Sequence, residues 1–311
     1  MTESRPNEPD LRVSFAGIEL PNPILVASGT FAYGQEVARL YDLSVLGGLV
    51  SKTITREPRA GNPPPRIMET VGGMLNSIGL QNPGIDAFLA EYLPVLREAG
   101  CPLIVNVAGE DAEDFVALAE RVGREPGIAA VELNLSCPNV AGGLDFSTKP
   151  QETEGVIRAV KQVCSLPIFA KLSPNVTSIV EVAQAAEAGG ADGLSMINTV
   201  VGMAIDAKKR RPVLARGTGG LSGSAIKPVA LAAVWRTSQA VKLPIIGIGG
   251  ITSATDVVEF LLAGASAVQV GTANFVDPWS APKIIDGLAA WCRDEGVDRV
   301  SDLVGAMKTN A

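Results

Sequence analysis

Apolar residues along this 311-residue chain gather into eight short, unbroken runs. They are Pro23–Ser28, Gly48–Lys52, Leu103–Val107, Ala130–Asn134, Ile168–Leu172, Gly193–Asn198, Ile245–Ile248 and Ala267–Gly271. Unbroken hydrophobicity, without alternation, marks strands of a parallel sheet buried on both faces. Between the runs lie segments with helical periodicity: Ile85–Ala99, Ala112–Arg124, Gln151–Val163, Ser178–Ala188, Ala225–Ala240, Ala254–Ala263 and Pro282–Asp294. Several end at a glycine (Gly100, Gly189, Gly264), which suits the left-handed position after a helix. Eight β/α units predict an α/β fold of the (β/α)8, or TIM-barrel, type, for which about 250 residues is usual. A doubly wound open sheet is the alternative. Its dinucleotide fingerprint is missing, because neither Gly247-Ile248-Gly249-Gly250 nor Gly217-Thr218-Gly219-Gly220 completes G-x-G-x-x-G.

Other segments add to a bare barrel. Leu11–Leu20 alternates around Ala16-Gly17 and predicts an N-terminal β-hairpin closing the N-terminal face. Thr53–Pro83 and Val200–Leu221 are long loops after strands 2 and 6, on the face where barrel active sites form. Asp298–Met307 predicts a last helix with Val300, Leu303 and Val304 on one apolar side. Residues 1–10 read as a polar tail and residues 11–311 as one domain.

Composition narrows the function. Apolar residues make up 47% of the chain and charged residues 19%, as in a well-cored globular protein. A net charge of -7 argues against nucleic-acid binding, which needs a basic face. No apolar stretch approaches the roughly 20 residues that span a bilayer, and the polar start is neither a signal peptide nor an anchor. Cys101, Cys137, Cys164 and Cys292 are far apart, with no C-x-x-C pair. That excludes a local zinc or iron–sulfur motif, so no metal is expected, and it predicts free thiols in a reducing cytoplasm.

The strand ends carry the chemistry. In order they deliver Ser28, Lys52, Asn106, Asn134, Lys171, Asn198, Gly249-Gly250 and Gly271-Thr272. Gly249-Gly250, before a helix starting near Ser253, and Gly271-Thr272 predict a phosphate cradle, since helix N-terminal amides bind anions and glycine allows close approach. A phosphate held there, with lysines and amides around the mouth, suits flavin mononucleotide (FMN). Lys171 would then stabilise negative charge at the pyrimidine edge of the flavin. The chain contains no histidine, so a base near neutral pH must be Cys, Lys or a carboxylate. Cys137, in Asn134-Leu135-Ser136-Cys137-Pro138-Asn139, is the best placed candidate, although cysteine is more often a small buried hydrophobe.

These motifs together resemble the family 1 dihydroorotate dehydrogenases from Val13 to about Pro278. The resemblance rests on Asn22–Gly29, Arg56–Pro63, Asn76–Gly84, Asn134–Asn139, Lys171–Asn175, Ile197-Asn198-Thr199, Gly219–Gly223 and the two glycine motifs. Ser51–Thr55 and Asn76–Leu80 look most similar to the NAD-linked B-type catalytic subunits. The resemblance implies that Cys137 removes a proton from dihydroorotate while hydride passes to FMN. It implies that Asn76, Asn134, Asn139 and Asn198, with Thr199, bind the substrate ring. Lys52 and the backbone of Ser77, Ile78, Gly79 and Leu80 would hold its carboxylate. FMN contacts would come from Ser28, Lys52, Thr53, Asn106, Asn134, Lys171, Ile197, Gly223, Gly249, Gly250, Gly271 and Thr272.

It further implies a homodimer docked to a partner subunit, a heterotetramer in which the partner carries FAD and an iron–sulfur cluster and passes electrons to NAD. The product would be orotate, for pyrimidine synthesis. Val140–Ser147 departs from the pattern by lacking a basic residue, which bears on loop movement and acceptor access. Rival readings are a fumarate-linked dihydroorotate dehydrogenase, a dihydropyrimidine dehydrogenase-like flavoenzyme, and a non-redox phosphate-binding barrel isomerase or lyase.

Overall fold

In a computed structural model, which describes residues 8–135 and 148–308, the eight apolar runs form one closed parallel barrel. Its strands, in order, are Ile24–Val26, Gly48–Val50, Leu103–Val107, Ala130–Asn134, Ile168–Leu172, Gly193–Met196, Ile245–Ile248 and Ala267–Val270. Each pairs with its sequence neighbour and the eighth closes onto the first. The middle three predicted runs and the seventh match to the residue. The first, second, sixth and eighth stop one or two residues short of their polar ends. Ser28, Lys52, Asn198 and Gly271 therefore leave the ladder and stand at the mouth.

Helices alternate with the strands as the periodicity predicts, within a residue or two at most ends. The helix predicted over Ile85–Ala99 runs from Gly84 to Arg97 and widens to i→i+5 bonding over Phe88–Tyr92. Pro94 comes two residues later and has no N–H to continue the regular ladder. The helix predicted over Ala225–Ala240 begins as a 3-10 turn, Ser224–Ile226, and continues as Lys227–Ser238.

The N-terminal hairpin pairs Val13–Phe15 with Ile18–Leu20. Ala16 and Gly17 both take positive φ, 51° and 80°, as a tight two-residue hairpin turn requires. Phe15 is buried and meets Phe169 edge-on at 4.9 Å between ring centroids. A Cβ on Gly193 would sit 2.8 Å from the Phe15 ring. The hairpin thus plugs the barrel beneath the starts of strands 5 and 6.

The two long excursions are not simple loops. Ile67–Thr70 and Gly73–Asn76 form a hairpin in the first, and Val200–Met203 pairs with Thr218–Ser222 in the second. Thr218–Ser222 also pairs antiparallel with Gly73–Asn76, so the excursions merge into one four-stranded sheet. No local pattern announces a pairing between segments so far apart in the chain.

The expected last helix is absent. Only one 3-10 turn forms, Val300–Leu303, because the preceding backbone is extended and tied to the N-terminal segment. The Asp10 N–H donates to the Asp298 carbonyl at 2.8 Å, and the Val300 N–H donates to the Asp10 carbonyl at 2.9 Å. Val300 and Leu303 are buried and Val304 partly so, and they pack on the main core as the apolar pattern suggested. Among the described residues no helix is long and apolar enough to cross a membrane.

Candidate active site

Glu132 organises the barrel interior, and sequence reading missed it. Strand 4 reads Ala-Val-Glu-Leu-Asn, and all five residues are buried. The Glu132 carboxylate accepts hydrogen bonds from Asn106 Nδ2 at 2.6 Å and Gln269 Nε2 at 2.9 Å, and pairs with Lys171 Nζ at 3.5 Å. Register explains the set: Asn106 lies beside Glu132, and Lys171 beside Asn134, so neighbouring strands point them to one side. Burial would push the Glu132 carboxyl up. The Lys171 charge and the hydrogen bonds from Gln269 and Asn106 outweigh this and hold it below the usual carboxylate range. A charge inside an otherwise apolar strand was the available signal, because such a charge needs a partner.

One layer nearer the mouth, Lys171 Nζ donates to Ser28 Oγ at 2.9 Å, joining strand 5 to the end of strand 1. Asn134 Nδ2 reaches Thr53 Oγ1 at 3.4 Å. Ile197 is buried, and its N–H donates to the Ile248 carbonyl at 3.0 Å. The Asn198 Oδ1 accepts from the Thr199 N–H at 2.8 Å. Asn175, also missed, steadies this corner: its Nδ2 donates to the Thr199 carbonyl and its Oδ1 accepts from the Val201 N–H, both at 2.9 Å.

Asn76 ends a strand of the excursion sheet and reaches the Gly220 carbonyl at 3.4 Å. A Cβ on Gly220 would come within 2.0 Å of Thr199 Oγ1, so only glycine lets the sheet lie against this corner. Gly220→Ala is expected to lose about 1–3 kcal/mol, the usual cost of overpacking, as a lower urea midpoint.

In Ser77–Leu80, the Ser77 N–H donates to the Arg66 carbonyl at 2.8 Å and its carbonyl accepts from Asn62 Nδ2 at 2.9 Å. Gly79 and Leu80 follow with positive φ, 76° and 55°. The amides of Ile78, Gly79 and Leu80 donate to no carbonyl among the described residues, which leaves three N–H groups for an anion. Lys52 is half-buried. Desolvation, with the Arg66 guanidinium nearby, lowers its ammonium below the ordinary lysine range, against a weaker pull from Glu36.

The glycine segments differ in one part from the sequence reading. Gly249 and Gly250 take φ of 130° and 75°. The helix after them does not present its N-terminus to a ligand, because Ser253 and Asp256 form a capping box. Asp256 also accepts from the Thr252 and Ser253 amides at 2.8 and 2.9 Å. Gly250 instead abuts the start of the Ser224–Ser238 helical segment: a Cβ there would lie 2.9 Å from the Lys227 nitrogen and 3.0 Å from the Gly223 carbonyl. Gly223, with φ of 101°, opens that segment. Thr272 closes this corner by donating to Ser222 Oγ at 2.8 Å, and a Cβ on Gly271 would lie 3.7 Å from Ala27 Cβ at the end of strand 1. Cys137 and Asn139 lie outside the described residues.

Fold and site together define a (β/α)8-barrel protein with a buried lysine–carboxylate pair inside it and positive-φ glycines after its seventh strand. The family model described as dihydroorotate dehydrogenase matches residues 10–291. The chain is 55% identical over 303 residues to the dihydroorotate dehydrogenase B (NAD(+)) catalytic subunit of Geobacillus kaustophilus, covering 97% of each chain. The subunit of that name from Geotalea uraniireducens is 54% identical over 97% of this chain and 99% of its own. That from Pelobacter propionicus is 55% identical over the same shares. The chain belongs to the dihydroorotate dehydrogenase family.

Proposed function

We propose that this chain is the catalytic subunit of an NAD-linked dihydroorotate dehydrogenase, oxidising dihydroorotate to orotate with FMN as the bound cofactor. The observation that carries the reading is the buried Asn106–Glu132–Lys171 cluster opening beside the glycine cradle.

Two features fit FMN. The Asn106 Oδ1 is buried and has no hydrogen-bond partner among the described residues, so it is an acceptor suited to a ring N–H. Gly223, Gly249, Gly250, Gly271 and Thr272 bring backbone to the place where a phosphate would sit. Ser28, Lys52, Thr53, Asn134, Lys171 and Ile197 complete the proposed contacts. FMN bound there supplies the hydride acceptor that turning a carbon–carbon single bond into a double bond requires.

The chain's own residues do the rest. Lys52 and the Ile78–Leu80 amides, with Ser77 fixing the turn, hold the substrate carboxylate by charge-assisted hydrogen bonds. Asn76, Asn134, Asn139 and Asn198, with Thr199, offer the donors and acceptors that a cyclic imide needs. Cys137 takes the proton from the ring carbon next to the carbonyl. Lys171 places positive charge where reduction builds negative charge.

The name catalytic subunit, carried by the relatives, supports a partner subunit; that partner would pass the electrons to NAD through FAD and an iron–sulfur cluster and dock on a homodimer of this chain. A cytoplasmic setting suits that assembly.

The test is to purify the chain, record its visible spectrum, add dihydroorotate without oxygen, and then offer acceptors. A yellow protein that bleaches, and regains colour slowly with NAD until the partner is added, is expected. A colourless protein overturns the FMN reading. Bleaching by dihydrouracil in preference to dihydroorotate overturns the substrate. Rapid NAD reduction by the isolated chain overturns the partner.

A further inference from the structure

Glu132 has no part in the steps above, yet it is fully buried and holds two of the proposed FMN contacts at once. Its carboxylate can only accept hydrogen bonds. Asn106 must therefore turn its NH2 toward the carboxylate, and this leaves Oδ1 without a partner among the described residues and facing away from Glu132. Lys171 is braced between Glu132 and Ser28. The result is a fixed pair, an acceptor from strand 3 beside a cation from strand 5. The pyrimidine edge of a flavin has the complementary order, an imide N–H flanked by carbonyls.

The carboxylate also acts at a distance. Its charge lies 3.5 Å behind the Lys171 ammonium, in a side chain with no solvent exposure. At that separation and burial screening is weak, so the ring would sense the pair and not a lone cation.

We propose that Glu132 is a positioning residue that aims Asn106 and Lys171 at the flavin and offsets part of the lysine charge, thereby setting the reduction potential of the bound cofactor. This rests on the FMN reading. Gln269, donating to the other carboxylate oxygen at 2.9 Å, holds Glu132 in place from strand 8.

The test is the reduction potential of FMN in the loaded protein, by equilibration with a reference dye, for the wild type, Glu132→Gln and Glu132→Asp. Glu132→Gln keeps the shape and removes the charge. Its potential is expected to rise, because the lysine is no longer offset, by about tenfold in the reduction equilibrium constant, or about 30 mV for a two-electron couple. Glu132→Asp, which draws the charge back by one methylene, should rise less. FMN affinity should fall in Glu132→Gln, whose amide allows Asn106 to turn over.

Glu132→Gln can fail to fold, since it leaves a buried cation without its partner. Glu132→Asp then decides by the same sign. A potential equal to the wild type in a variant that still binds FMN overturns the proposal and leaves Glu132 a scaffold. A wild type that binds no FMN overturns the cofactor reading instead, so the two failures are told apart.

Discussion

Cys137→Ala is expected to slow the oxidation of dihydroorotate by about 10²–10⁴-fold, the usual contribution of a positioned general base, while FMN stays bound. With no histidine in the chain, the proton at the ring carbon needs another acceptor, and a thiol on the segment after strand 4 is the proposed one. Asn134 and Leu135, which precede that segment, are both buried, so it starts from a fixed point. A thiol with an ordinary pKa near 8.5 is mostly protonated at neutral pH. The rate of flavin bleaching should therefore climb as pH rises through that region, and Cys137→Ala should lose the climb. Anaerobic stopped-flow reduction at several pH values measures both. A variant that bleaches at the wild-type rate removes the thiol from the mechanism.

Lys52→Ala should weaken kcat/KM for dihydroorotate by about 2 kcal/mol or more, roughly thirtyfold, as loss of one partner in a desolvated charge pair does. Burial and Arg66 make the Lys52 charge costly in the free protein, and an anionic substrate relieves that cost. Because the Lys52 pKa is lowered, its charge is full at acid and neutral pH. It is lost on the alkaline side sooner than for an ordinary lysine. Affinity for the substrate should thus be steady at lower pH and fall as pH rises through the depressed value. With Cys137 giving the rising limb, kcat/KM is bell-shaped in the wild type, and Lys52→Ala should lack the descending limb. An unchanged descending limb would assign it to another group.

Much of the barrel was legible because its signal is local. A strand buried on both faces must be apolar throughout, and each of the eight runs became a barrel strand. Ala16-Gly17 announced a hairpin because both residues must take positive φ there. The polar strand ends were equally local: Lys171 meets Ser28 directly and Asn106 through Glu132, and Asn134 meets Thr53.

What stayed hidden depends on distant pairing. The Asn76–Gly220 contact joins residues 144 apart in sequence, and nothing in either segment names the other. Glu132 was overlooked since a strand ending in a chemically attractive amide drew attention away from the charge two residues earlier. The capping of the helix at Ala254 was misjudged for a different reason. Ser253 and Asp256 had the right spacing to satisfy their own helix, and that local solution removed the amides assigned to phosphate.

The sheet built from the two excursions also bears on the order of assembly. Neighbouring barrel strands pair along the chain, whereas two contacts join distant segments: Gly73–Asn76 with Thr218–Ser222, and the eighth strand with the first, Val268 beside Ile24. Closing a longer loop costs more entropy before any contact rewards it. A newly made chain would therefore pair its neighbouring strands first, and a half-finished molecule would be an open, curved sheet with neither its closing seam nor its outer sheet in place.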